Sequence, residues 1–248
     1  MKAACAVLTV AGLAASLAAQ PRIAARMDCP ATVEAAQQPR VALVLEGPQA
    51  APVSGRLTLT FTHNAVNGAD DPAIQFSNGS RTASFTLAAG STRAEAALQS
   101  GTVAGSIRIT AALESAGADV TPSPAPACTI TLARAAPVIT DLRFERTGSG
   151  FNLYVTGYST PRQVLEARYR FLPKSGYQWQ PIEIVLPQET LSSRFTDWFR
   201  SGTSAQYGSQ FTLLQPFTAD QNFYTIGSVV VTLRNAEGLS AEKSVTFP

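Results

Sequence analysis

Gly55-Arg56-Leu57-Thr58-Leu59-Thr60-Phe61-Thr62 puts Leu57, Leu59 and Phe61 on one side of an extended chain and Arg56, Thr58, Thr60 and Thr62 on the other. Strict apolar/polar alternation is the signature of a strand with one face on a core and one in water. The pattern recurs outward from this stretch. Thr82 to Leu87 turns Ala83, Phe85 and Leu87 inward, and Val103 to Leu113 sets Val103, Ile107, Ile109 and Leu113 against Ser106, Arg108 and Thr110. Between the first two of these runs Ile74-Gln75-Phe76-Ser77 meets Asn78-Gly79, a dipeptide suited to the positive φ values of a type I′ turn, which predicts a β-hairpin. Asn78-Gly79-Ser80 also matches a glycosylation sequon, but the turn explains those residues more simply. The proline-rich run Thr121-Pro122-Ser123-Pro124-Ala125-Pro126 must be extended and cannot join a central strand.

After the short hinge Ala135-Ala136-Pro137 the alternation begins again. Leu142 and Phe144, then Phe151, Leu153 and Val155, then Leu165, Ala167, Tyr169 and Phe171 take the inward side. Further strands are expected at 182–186, 211–214, 228–234 and 244–247, about seven in roughly 110 residues, the count of an immunoglobulin-like sandwich. One segment departs from period two: Leu191, Phe195, Trp198 and Phe199 have helical spacing. They predict a short helix against the second sandwich, with Thr190 or Ser192 as its cap. The fold class is therefore all-β: two antiparallel Ig-like β-sandwich domains in tandem, 20–134 and 137–248, with a short helix in the second.

Residues 1–19 form a separate object. Lys2 supplies a positive start, Ala3 to Leu17 is apolar but short for a bilayer span, and Ala18-Ala19 offers a cleavage site before Gln20. A buried helix or a retained anchor would share the apolar run; the charge, length and small residues together fit a secretory signal peptide better. No second stretch of spanning length follows, so no membrane span is expected after cleavage. Cleavage removes Cys5 and leaves Cys29 and Cys128, 99 residues apart. An exported pair flanking one domain is expected to form a disulfide.

Nineteen Lys and Arg against 17 Asp and Glu leave a net charge of +2, too small to argue for nucleic acid or an anionic membrane. Nucleophilic catalysis needs a base, and the chain has a single histidine, His63, at a strand end. No nucleophile elbow, phosphate loop, dinucleotide fingerprint or His-Glu-x-x-His helix occurs, so no catalytic residue and no cofactor is assigned. Asp70-Asp71 is a weak candidate for a hard cation, short of the six or more oxygens calcium wants, and Asp before Pro72 is also an ordinary turn starter. Tyr177 and Trp179 follow the turn Lys174-Ser175-Gly176 and are the candidate binding residues, able to stack on a sugar or anchor a partner. Alternation equally lets both fold down onto the sandwich, and that packing role is preferred.

Two blocks carry a resemblance. Gly55 to Thr62 with Asp70-Asp71-Pro72-Ala73-Ile74-Gln75-Phe76 and Gly101-Thr102-Val103-Ala104-Gly105 resembles an Ig-like module of exported bacterial proteins. Phe195-Thr196-Asp197-Trp198-Phe199 with Gln206-Tyr207-Gly208-Ser209-Gln210-Phe211 is similar to the C-terminal module of the same proteins, in which tandem Ig-like/fibronectin-III-like pairs often end long surface or secreted chains. The resemblance implies a tandem β-sandwich and carries no activity. The expected function is non-catalytic: an extracytoplasmic protein, secreted, periplasmic or at the cell surface, acting in structure, adhesion or protein–protein contact. A carbohydrate-binding module using the loop aromatics is the alternative, so the partner is a protein or a cell-envelope polysaccharide. Intact-mass analysis of envelope or culture-medium protein should lack the first nineteen or so residues; Met1 retained there would overturn the export reading.

Overall fold

The computed structural model describes residues 22–218 and 224–247. The segment read as a signal peptide lies outside them. In the first half the strands are β1 (Ala25–Asp28), β2 (Thr32–Val33), β3 (Arg40–Leu45), β4 (Val53–His63), β5 (Gln75–Phe76), β6 (Thr82–Leu87), β7 (Arg93–Gln99), β8 (Gly105–Ser115), β9 (Ala118–Asp119) and β10 (Ala127–Leu132). They form two sheets, one ordered β1-β3-β7-β5 and the other β2-β10-β8-β4-β6, with β9 on β8. Pairing is antiparallel except for the two-residue β2–β10 ladder. The register opposes Leu57 to Ala111, Leu59 to Ile109 and Phe61 to Ile107, so the alternation of β4 and β8 falls in phase on one face. That face meets Leu43, Ile74, Phe76 and Leu98 in a closed core, where each fully buried large side chain contributes about 1.5–3 kcal/mol.

Cys29, just after β1, and Cys128, in β10, form a disulfide with Cα atoms 6.4 Å apart. Because β1 and β10 belong to opposite sheets, the bond staples the sandwich across its core. Asn78-Gly79 does make a turn, but not the expected hairpin. Of the two residues only Gly79 has positive φ, whereas a type I′ turn needs both. Asn78 instead accepts from the Ser80 N–H and donates to the Thr82 carbonyl. The chain there passes between sheets: β5 pairs with β7 and β6 with β4.

The second half contains β11 (Val138–Thr147), β12 (Gly150–Tyr158), β13 (Glu166–Pro173), β14 (Ile182–Leu186), β15 (Gln210–Thr218), β16 (Ile226–Asn235), β17 (Gly238–Leu239) and β18 (Lys243–Thr246). One sheet runs β11-β12-β15; the other runs β14-β13-β16-β17, with β18 also on β16. Between them Phe151 lies 5.1–6.0 Å, centroid to centroid, from Phe171, Phe217 and Phe247, and such ring pairs add about 0.5–1.5 kcal/mol each beyond burial. One α-helix stands among the described residues: α1 (Gln188–Arg200) buries Leu191, Phe195 and Phe199 in the same core. Its cap is not Thr190 or Ser192. The helix starts earlier, at Pro187, with no side-chain cap. Pro187 holds the N-cap position in extended backbone, and Glu189 in the first turn faces the positive end of the helix dipole.

Thiol counting on the denatured, unreduced chain lacking residues 1–19 should find no free sulfhydryl. The Cys29→Ser/Cys128→Ser variant should lose up to about 4–5 kcal/mol of stability, the loop-closure value for this separation; two titratable thiols in the parent would refute the bridge.

Candidate functional site

Each residue singled out in the sequence has a definite place. Tyr177 is 48% exposed, while Trp179 is half-buried against the second core with its Nε1 enclosed and without a partner among the described residues. Both lie in the loop between β13 and β14 rather than in a strand. Period two therefore does not apply, and the pair makes no common exposed platform. Asp70 is a surface residue, 2.6 Å from the Arg81 guanidinium. Asp71 is 1% exposed and turned inward. Its Oδ2 accepts from the Thr102 N–H (2.6 Å), the Val103 N–H (3.1 Å) and the Thr102 hydroxyl (3.3 Å), and its Oδ1 from the Ala73 N–H (3.0 Å). A carboxylate so answered by donors is a structural acceptor, and the doublet, aimed two ways, does not converge on a cation. His63 is exposed at the end of β4, against Gly68.

Asp71 instead anchors the joint between the sandwiches. The Thr102 hydroxyl that donates to Asp71 accepts from the Ser209 N–H (3.0 Å), and the Ser209 hydroxyl donates to the Thr102 carbonyl (2.7 Å). Beside this pair the Val66 N–H donates to the Pro161 carbonyl, the Ala104 N–H to the Thr160 carbonyl, and the Asn67 amide to the Arg162 carbonyl, at 2.9–3.0 Å. The hinge is held as well: the Ala135 N–H donates to Thr160 Oγ1, and Asn235 Nδ2 donates to the Ala135 carbonyl, both at 2.8 Å. Gly101 and Gly208 flank Asp71 at φ 66° and 60°, and a Cβ on either would stand 2.5–2.6 Å from Oδ2. Only glycine admits both the left-handed backbone and this approach.

Arg162, wholly buried and itself at φ 54°, completes the joint from the second sandwich. Its guanidinium donates to the Gly208 carbonyl, the Phe199 carbonyl and the Ser204 hydroxyl, and lies 4.9 Å from the Phe199 ring centroid. Burial pulls its pKa down and the nearby Asp71 carboxylate opposes that shift. The Phe199 carbonyl belongs to the last turn of α1, where unpaired carbonyls and the helix dipole favour a cation. Thr102 and Ser209 stood in the sequence only inside the stretches that carry the resemblance, with no role, and Arg162 was not singled out. The signal available was the pair Gly101-Thr102 and Gly208-Ser209, two glycines each followed by a hydroxyl residue.

The joint can fix an orientation; it does not place a nucleophile beside a base. Among the described residues no three His, Cys, Asp or Glu side chains group to hold a metal, and no helix is long and apolar enough to cross a membrane. Two further features stand at the surface of the second sandwich. Strand β14 is a sheet edge with Ile182, Ile184 and Val185 38–56% exposed. Against β15, Trp198 Nε1 donates to the Gln210 carbonyl (3.1 Å) and Arg194 to the Leu214 carbonyl (2.9 Å), while the Trp198 and Tyr207 rings stack with centroids 6.2 Å apart.

No protein-family model matches the chain, and no curated protein sequence does. Among solved structures it is similar to the crystal structure of the FN1–FN3 domains of chicken CNTN1, at 10% identity, covering 92% of this chain and 67% of that one with a TM-score of 0.23. So slight an overlap bears on neither fold nor function, and the sandwich assignment rests on the strands themselves.

Removing the Asp71 carboxylate strands the buried N–H groups of Thr102 and Val103 and the part-buried one of Ala73, each at about 1–3 kcal/mol. Asp71→Ala should therefore lose about 3–5 kcal/mol in urea unfolding, whereas Asp70→Ala, on the solvent side of the same doublet, should stay within about 1 kcal/mol of the parent. Equal losses at both positions would remove Asp71 from the joint.

Proposed function

We propose that this chain is a non-catalytic extracytoplasmic module, with domain units 20–134 and 137–248, that acts in structure, adhesion or protein–protein contact by holding two β-sandwiches at one fixed angle. The observation that carries the reading is the Asp71–Thr102–Ser209 chain of hydrogen bonds, with Arg162 behind it, buried between the sandwiches. Paired domains joined by a short hinge move independently unless their interface is large or specific. Here any rotation would break the Thr102–Ser209 pair and leave buried amide and hydroxyl groups without their partners, at several kcal/mol. A stiff pair serves a spacer or a contact module, which must present its surfaces at a set distance and angle. The Cys29–Cys128 bond supports the compartment, since disulfides persist where the milieu is oxidising.

The chain in solution should tumble as one body. Backbone ¹⁵N relaxation should fit a single diffusion tensor for amides of both sandwiches. Two tensors, one for each half, would dismiss the rigid-pair reading and with it the proposed role.

A further inference from the structure

We infer that the second sandwich carries a binding cleft for a neutral oligosaccharide of hexopyranose units, built on Trp198 and Tyr207 where α1 meets β15. The cleft has a volume of about 460 Å³, inside the ~300–1,000 Å³ range of small-ligand sites. Trp198 and Tyr207 form its aromatic wall, their planes 22° apart in an offset stack. Tyr207 is 47% exposed, a large ring that the core does not claim. Trp198 is held in place from behind: its helix is anchored in the core through Phe195 and Phe199, and its indole N–H is committed to the Gln210 carbonyl. The ring is thus a fixed surface rather than a mobile side chain, and a preorganised surface loses little entropy when it binds.

The rest of the lining is uncharged, with Phe211 apolar and the other residues polar. Thr156 and Thr212 share a hydroxyl–hydroxyl hydrogen bond of 3.1 Å on adjacent strands. Thr203 and Gln210 also line the cleft, and neither side chain makes a hydrogen bond among the described residues. This combination selects the ligand class. A hexopyranose offers an apolar C–H face to a ring and an equatorial rim of hydroxyls, each both donor and acceptor, as the threonine hydroxyls and the glutamine amide also are. Among the described residues no Asp, Glu, Lys or Arg lines the cleft, so a charged sugar would lose hydration without a counter-charge, and a purely apolar ligand would leave the hydroxyls unanswered. A second, smaller cleft of about 220 Å³ continues past Trp198 toward Arg194 and Leu214, which gives an extended chain room for a further unit. The inference does not depend on the rigid-pair reading, since every lining residue belongs to the second sandwich.

The two indole N–H signals of the full chain, lacking residues 1–19, separate the site from its surroundings. Trp198→Phe assigns them, and cellohexaose, maltohexaose and chitohexaose are titrated in turn. At least one should shift the Trp198 signal saturably and leave Trp179 unmoved. Tyr207→Ala should weaken that binding about three- to tenfold, the worth of one aromatic contact, at unchanged thermal midpoint. Thr212→Val, an exposed strand position, tests the polar side if Tyr207→Ala folds poorly. No saturable shift with any of the three sugars overturns the cleft, as does a shift that both variants leave unchanged. Either result leaves the single-tensor test of the joint standing.

Discussion

The carboxylate of Asp71 has no access to solvent, so its lone pairs must be met from inside the chain. Much of the joint is a consequence of that constraint. Its donors are the backbone amides of Thr102 and Val103, which point at it because Gly101 turns the chain through a left-handed conformation just before them. The Thr102 hydroxyl then has one hydrogen directed at Asp71 and a lone pair free on its far side, and Ser209 of the second sandwich fills that position. Gly208 must be bare to let Ser209 come so close, and its carbonyl, turned the other way, accepts from Arg162. From Arg162 the connection passes to the Phe199 carbonyl and the end of α1. One buried acid in the first sandwich is thereby linked to the helix of the second.

A joint of this kind is a poor source of net stability, because removing two charges from water costs about what their contacts return. An apolar interface of equal size would hold the halves together as well, yet it would tolerate sliding, since dispersion and burial have little directional preference. The buried hydrogen bonds between Thr102 and Ser209 tolerate almost none. The carbonyl-to-amide contacts around Val66, Asn67 and Ala104 add the same directional demand on a second line, so rotation about the first is blocked. The polar joint therefore trades strength for a set angle.

The strands were legible because each carries its own evidence: the phase of Leu57, Leu59 and Phe61 against Ile107, Ile109 and Leu113 is local, and burial of one face results from it. The aromatic spacing of α1 was legible for the same reason, while its start was not, since the N-cap is Pro187, which has no side-chain acceptor to mark it. Asn78-Gly79 showed that the chain turns but not which strands it joins, because the partner of β5 is fixed by β7, about twenty residues on. The joint was illegible in kind. Asp71 and Thr102 are 31 residues apart and Thr102 and Ser209 are 107, with no period between them, and Asp71-Pro72 reads locally as a plain turn. Trp179 and Trp198 were likewise separable only by packing. Both neighbour a turn or helix with a tyrosine nearby, and the enclosure of Trp179 is decided by strands distant in sequence.

In the second sandwich a helix stands where a further strand could. The smaller sheet ends at β15, whose free edge would expose a row of carbonyls. Helix α1 answers that edge with side chains: Arg194 and Trp198, four apart on one helical face, donate to the carbonyls of Leu214 and Gln210, four apart on one strand edge. The apolar side of the same helix enters the core through Leu191, Phe195 and Phe199. A helix does not track a strand at ladder spacing, however, because it rises ~1.5 Å per residue against ~3.4 Å for a strand. Side chains must span the widening gap, and the gap is the cleft between Trp198 and Thr212. Edge β14 is left to simpler protection: Pro181 and Pro187 bracket its five residues, and Glu183 lies 3.7 Å from Arg168 on β13. Helix α1 thus answers the β15 edge and prolines bracket the β14 edge, and the concave, aromatic-lined surface lies on the helix side.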